Sequence, residues 1–107
     1  MLEKKFEVVT LCGSTKFKEE YLEAMKKLTL EGKIVISVGL FMHADKESIT
    51  KEQKRMLDEM HFRKIDLSDS IFVINKGGYI GESTSNEIRY ALSQGKGVKY
   101  LENQKVI

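Results

Sequence analysis

Apolar positions along the chain recur in two rhythms that alternate. Phe6–Cys12 is β-rich and stops at Gly13, which predicts a strand. Phe17, Tyr21, Leu22, Met25 and Leu28 then repeat at helical spacing, and Glu31-Gly32 closes that helix. Lys33–Gly39 carries Ile34-Val35-Ile36 and Val38, a second strand. Leu40–Ile49 reads as a loop. Thr50 with Gln53 three residues on is a capping-box signature. The helix it opens carries Met56, Leu57, Met60 and Ile65 and runs to about Leu67. Ser70–Asn75 is a continuous apolar run, as expected of a strand covered on both faces. A Gly-rich segment follows, then a helix over Ser83–Gln94 with Ile88, Ala91 and Leu92 inward and Gly95 as its stop. Val98–Leu101 is a last short strand.

The order is βαβαβαβ. Alternating strands and helices imply a parallel sheet with right-handed crossovers. The expected fold is α/β, a Rossmann-like or flavodoxin-like three-layer sandwich with four to five parallel strands. In such sheets ligands sit beyond the carboxyl ends of the strands, where the connections diverge. That rule nominates Gly13–Lys16 and Asn75–Glu87, where the small and polar residues also cluster.

Composition narrows the picture. A chain of 107 residues holds one domain with one core, taken as residues 1–107. The net charge is +2 and Lys and Glu are intermixed, so neither a nucleic-acid polymer nor an anionic membrane is expected as partner. Cys12 is the only cysteine, which excludes an internal disulfide and fits a reducing compartment. The opening apolar run is too short for a secretory h-region or a membrane span. The expected location is the cytoplasm.

Gly13-Ser14-Thr15-Lys16 lies between a strand and a helix N-terminus. Backbone N–H groups, two hydroxyls and an ammonium there suit an anion such as phosphate. The same residues would also serve as a tight turn and cap. The motif lacks the second glycine of a Walker A loop. In the second segment, Gly77, Gly78 and Gly81 permit close approach of a ligand. Tyr79 offers a ring for stacking, and Ser83 and Ser85 offer hydroxyls. Glu87 has two readings. Thr84-x-x-Glu87 is a capping box, in which the carboxylate only bonds back to the Thr84 N–H. Alternatively, Glu87 aims into the crevice, where a carboxylate can attack an anomeric carbon. From the residues alone the cap reading leads. His61 shares a stripe with Leu57 and Ile65, either as a satisfied core residue or as an acid/base. Asp66 and Asp69 could cap the turn into the strand, meet Arg63, or take part in catalysis. Cys12, Met56, Met60 and Phe62 read as packing. No His, Cys or carboxylate pair has metal-site spacing, so neither a metal nor an organic cofactor is expected.

The chain resembles the nucleoside 2-deoxyribosyltransferase superfamily, including its small nucleotide N-glycosidase branch. The resemblance rests on the opening strand into Cys12-Gly13-Ser14, on Ser68-Asp69 before Ile71-Phe72-Val73, and on Glu87 to Lys96. It implies that Glu87 is a nucleophile cleaving the bond between a nucleobase and (deoxy)ribose. It also implies that Ser14 contacts the substrate, in the nucleotide branch through its phosphate. This resemblance reverses the balance on Glu87. Where the family carries an aspartate near the glutamate, this sequence has Phe62 with His61 beside it, which leaves His61 and Asp66 as substitutes. The expected substrate is a nucleoside or nucleoside 5′-monophosphate, and the expected assembly is a homodimer or higher homo-oligomer. The alternative function is a non-catalytic nucleotide-binding module of the same fold.

Overall fold

The structure is a computed structural model and describes residues 5–103. The stretch before Lys5, part of the segment read for a leader, lies outside them. Among the described residues the order is β1 (Val8–Gly13), α1 (Lys18–Leu30), β2 (Ile34–Ile36), α2 (Lys51–Asp66), β3 (Ser70–Ile74), α3 (Glu82–Ser93) and β4 (Gly97–Tyr100), with a 3-10 turn at Lys76–Gly78. The strands form one four-stranded sheet in the order β2-β1-β3-β4, and all three pairings are parallel. This α/β arrangement is compatible with a Rossmann-like or flavodoxin-like sandwich.

The two-residue period of the strands sorts the core into two layers. Val9 and Leu11 of β1 and Ile74 of β3 pack with Tyr21, Ala24 and Leu28 of α1 on one face. Cys12 of β1 and Ile71 and Val73 of β3 pack with Ile65 of α2 and Ala91 of α3 on the other. β1 and β3 are therefore covered on both sides, as the unbroken apolar run of Ser70–Asn75 implied.

Several local expectations need correction. β2 covers only Ile34–Ile36, less than the Lys33–Gly39 read from its apolar residues. As an edge strand it pairs on one side only, with β1, over Val8–Thr10, and the chain then leaves the sheet. Leu22, counted in the helical repeat with Tyr21, and Leu92, read as inward, are exposed. Each sits one helical step past a buried residue, Tyr21 and Ala91, and that step turns the side chain by about 100° away from the sheet. Met56 and Met60 likewise face outward, because α2 buries the stripe of His61 and Ile65. The capping box at Thr50 and Gln53 is present in both directions, at 3.0 and 2.9 Å.

The connections after β1 and β3 part at the centre of the sheet. From β1 the chain crosses by α1 to the β2 edge; from β2 it returns by α2 over β1 to β3. The switch point thus lies between β1 and β3. The two strands approach so closely there that a Cβ on Gly13 would sit 2.8 Å from the Ile74 carbonyl oxygen, at a φ of +153°. The buried Tyr21 hydroxyl donates to the Gly13 carbonyl at 2.8 Å and ties α1 to the same point. Asn75, fully buried at the end of β3, binds the Glu102 backbone with both halves of its amide, at 2.9 and 2.8 Å. Gly13→Ala should therefore cost about 2–4 kcal/mol by combining a backbone clash with a disfavoured φ. Urea denaturation checks this; a loss below about 0.5 kcal/mol, the range of an ordinary surface change, would show that the strands can separate freely.

Candidate functional site

A cavity of about 260 Å³ opens at the carboxyl ends of β1 and β3. Its size approaches that of an ordinary small-ligand pocket. Gly13, Ser14 and Thr15 form one wall, and Tyr79, Gly81 and Ser83 form part of another. The two segments nominated by the sequence thus meet across one space. Helix α2 supplies a third wall through Lys54, Leu57, Asp58, His61 and Lys64. Glu87 enters from α3 and also lines a smaller neighbouring recess of about 60 Å³ with Asp58 and Phe62.

Not every nominated residue arrives there. Gly78 and Ser85 do not line the cavity. Lys16 is also outside its lining; its ammonium lies 3.8 Å over the Tyr79 ring and 5.2 Å from that of Phe17. Asp66 is placed away from the site as well. It accepts a hydrogen bond from the Tyr90 hydroxyl and pairs with Arg63 at 3.2 Å. The cause is periodicity: Asp66 is five residues past His61, which turns it about 140° around α2. Asp69 lies at the opposite end of the sheet and accepts from the Val8 N–H at 2.8 Å.

The capping reading of Glu87 is overturned. Helix α3 begins at Glu82 with Gly81 as its cap, and that cap has no side-chain hydrogen bond. Thr84 is inside the first turn and buried, so Glu87 lies beyond the cap positions altogether. Its side chain projects towards β1 instead, with 13% of its surface exposed. Burial is the main cause that pushes its pKa up to about 7; the Cys12 hydrogen bond opposes the rise, and Asp58 adds to it.

His61 reaches the same point from α2. Its Nε2 is 3.5 Å from the Cys12 sulfur and 3.9 Å from a Glu87 carboxyl oxygen. Burial, followed by the charge of Lys64, lowers its pKa to about 4, while a backbone hydrogen bond with Leu11 opposes this. The imidazole is thus neutral near pH 7, and the 3.9 Å contact with Glu87 is not an ion pair. A neutral His61 has little capacity to act there as a proton-donating acid. The Cys12–His61 pair is also unlike an activated thiol nucleophile. Cys12 is fully buried, and burial followed by the Glu87 charge raises its thiol well above the ordinary value.

Several site residues escaped the sequence reading. Lys54, Asp58 and His61 recur at helical spacing, so their common face was legible from periodicity. Lys54 donates to both Asp58 oxygens at 2.7 and 2.8 Å. Lys64 donates to the Ser37 carbonyl at 2.8 Å, which pins the chain after β2 to α2. His43 gave no local signal. It comes from the long loop and meets the Thr15 hydroxyl through Nδ1 at 2.8 Å. Cys12, His61 and Glu87 come from three elements and bring their possible donor atoms within 4.8 Å of one another, a proximity that spacing along the sequence does not reveal.

No family model matches the chain, and no curated protein matches it. No helix among the described residues is long and apolar enough to cross a membrane.

The two shifted groups make opposite contributions to stability. Glu87 is raised from 4.5 to about 7, so its contribution is complete below pH 4.5 and is lost as pH rises towards 7. His61 is lowered from 6.5 to about 4, so its contribution is complete above pH 6.5 and is lost as pH falls towards 4. Between pH 4.5 and 6.5 the pair holds one proton in either state, on Glu87 when folded and on His61 when unfolded, and the two effects cancel. Glu87→Gln removes one half of that balance. In chelator-treated protein, its unfolding free energy should fall relative to the parent by on the order of 2 kcal/mol between pH 6.5 and 4.5. Parallel pH profiles for parent and variant would refute the assignment.

Proposed function

We propose that this protein breaks the N-glycosidic bond of a nucleoside or nucleoside 5′-monophosphate, with Glu87 as nucleophile. The observation that carries the reading is a carboxyl group released from helix capping and lining the cavity at the switch point. Chain segments rich in glycine and hydroxyls face it across that cavity. In its ionised form, Glu87 attacks C1′ through an oxocarbenium-like transition state, and the bond to the base breaks. Water or a second base then resolves the glycosyl-enzyme ester. Burial keeps Glu87 poorly solvated, which makes its ionised form a stronger nucleophile. We assign the proton taken by the departing base to the mouth of the cavity, where His43 and solvent stand. Ser14, Thr15 and Ser83, with the N-terminus of α3, are the proposed seat for a 5′-phosphate.

Incubation with a panel of nucleosides and nucleoside monophosphates, followed by chromatography for free base, tests this reading. Glu87→Gln keeps the shape and removes the attacking charge. Base release should drop at least about a hundredfold with substrate binding retained. Parent-like release by that variant would rule out Glu87 as the nucleophile. Ligand-induced melting shifts without base release from the parent would favour the binding module.

The reading includes a homodimer. The cavity mouth stands open in a single chain, and Met56 and Met60 present an apolar pair one turn apart on the exposed side of α2. Symmetric dimers are the commonest soluble assembly. Light scattering at micromolar concentration should give twice the chain mass; a monomer there would sink this part.

A further inference from the structure

Three donor groups meet at the inner end of the cavity, each from a different element. Cys12 comes from the last turn of pleat in β1, His61 from α2 and Glu87 from α3. The sulfur and Nε2 are 3.5 Å apart, and Nε2 and a carboxyl oxygen are 3.9 Å apart. Zinc bonds of about 2.0–2.3 Å at tetrahedral angles place neighbouring donors about 3.3–3.6 Å from one another. The first separation meets that requirement already. The second is about 0.6 Å too long for a nitrogen–oxygen pair at those bond lengths, and the three donor atoms all lie within 4.8 Å of one another, so Glu87, whose side chain has three torsions to adjust, must move inward to bind.

We propose that Cys12, His61 and Glu87 form a site for a single zinc-class divalent ion, whose fourth position faces the cavity.

The donor set fits this class of ion. Thiolate, imidazole and carboxylate together suit zinc or a neighbouring late transition metal, whereas magnesium and calcium call for oxygen ligands throughout. Three protein ligands with one open position are the arrangement of reactive rather than structural zinc. The surroundings fit too. Among the described residues, no hydrogen bond to a partner outside the trio engages the Cys12 sulfur, His61 Nε2 or the Glu87 carboxylate. The polar ends of these buried side chains therefore meet mainly one another. His61 and Glu87 line the cavity, giving an ion a route inward, and Cys12 lies behind them. On binding, the thiol proton and any proton on Glu87 pass to solvent while the sulfur and oxygen lone pairs form bonds to the ion.

This site goes beyond the proposed glycosidase and would oppose it. A carboxylate coordinated to zinc gives up charge to the ion and is held in the ion's geometry, which makes it a weaker nucleophile towards C1′, so one equivalent of metal would lower base release. The direct test does not need turnover. The full chain, stripped with chelator and kept reduced with a phosphine, is titrated with Co²⁺. The expected result is saturation at one ion per chain, with a thiolate-to-cobalt charge-transfer band and intense d–d bands of four-coordinate cobalt. Zn²⁺ should bleach both. Cys12 is the only cysteine in the sequence, so any sulfur band reports this position. Cys12→Ser should abolish the charge-transfer band. His61→Ala and Glu87→Gln should weaken binding by more than the about 10- to 100-fold typical of losing an outer-shell partner. A parent chain that binds cobalt without a sulfur band, or does not bind it, overturns the proposal, as does a band that survives Cys12→Ser. The parent spectrum decides the matter even if a variant fails to fold. An absence of base release with every substrate would count against Glu87 as nucleophile and leave the cobalt result standing.

Discussion

The close approach of Gly13 to Ile74 sets the geometry on which everything above it depends. Without a side chain at residue 13, β1 and β3 stay paired up to the point where their connections diverge. A wider gap there would move the Ser14–Thr15 wall away from the Gly81–Ser83 wall. It would also move Cys12, one residue before the contact, away from α2 and α3. The Tyr21 hydroxyl on the Gly13 carbonyl holds the same junction from the opposite face of the sheet. One missing Cβ and one phenol thus fix the floor of the cavity, and the helices supply what rises from it.

The architecture was legible because it follows from rhythm. Period two on β1 and β3, period near four on the helices, and glycines at the ends of α1 and α3 each follow from backbone geometry that tertiary context rarely reverses. The location of the cavity was legible for the same reason, since the switch point follows from strand order. The residue-level chemistry was less so. His61 and Glu87 do line the cavity, but Asp66 lies on another side of its helix, and Lys16 stands over the Tyr79 ring instead. The capping box at Thr84 looked sound in sequence because Thr-x-x-Glu is short enough to occur inside a helix as well as at its start. Gly81, three residues earlier, took the cap without any side-chain signature. His43 lay beyond reach because a loop of irregular shape delivers it. The trio of Cys12, His61 and Glu87 was beyond reach for a related reason, as spacing rules see ligands on one element and not on three.

The interior of the site shows burial winning over charge. Water is withdrawn from a carboxyl, an imidazole and a thiol at once, and each is driven towards its neutral form. Near pH 7 the cost of charging any one of them is therefore small only for Glu87, whose shifted value falls at that pH. Lys54 and Asp58 satisfy each other at the rim and bring almost no net charge inward. The site is consequently sensitive to whatever ligand enters, since an incoming cation or a developing positive centre finds little else to compensate it.

The double amide bond between Asn75 and Glu102 extends the sheet's hydrogen bonding by one side-chain rung after β3 has ended. Because every strand runs in the same direction, the chain comes into the sheet at the end remote from the cavity and goes out beside it. A fluorophore or affinity handle attached after residue 102 would accordingly sit near the ligand's doorway and could report its occupancy. The same handle placed ahead of β1 would stand a full strand length away, a distance of roughly 20 Å for six residues.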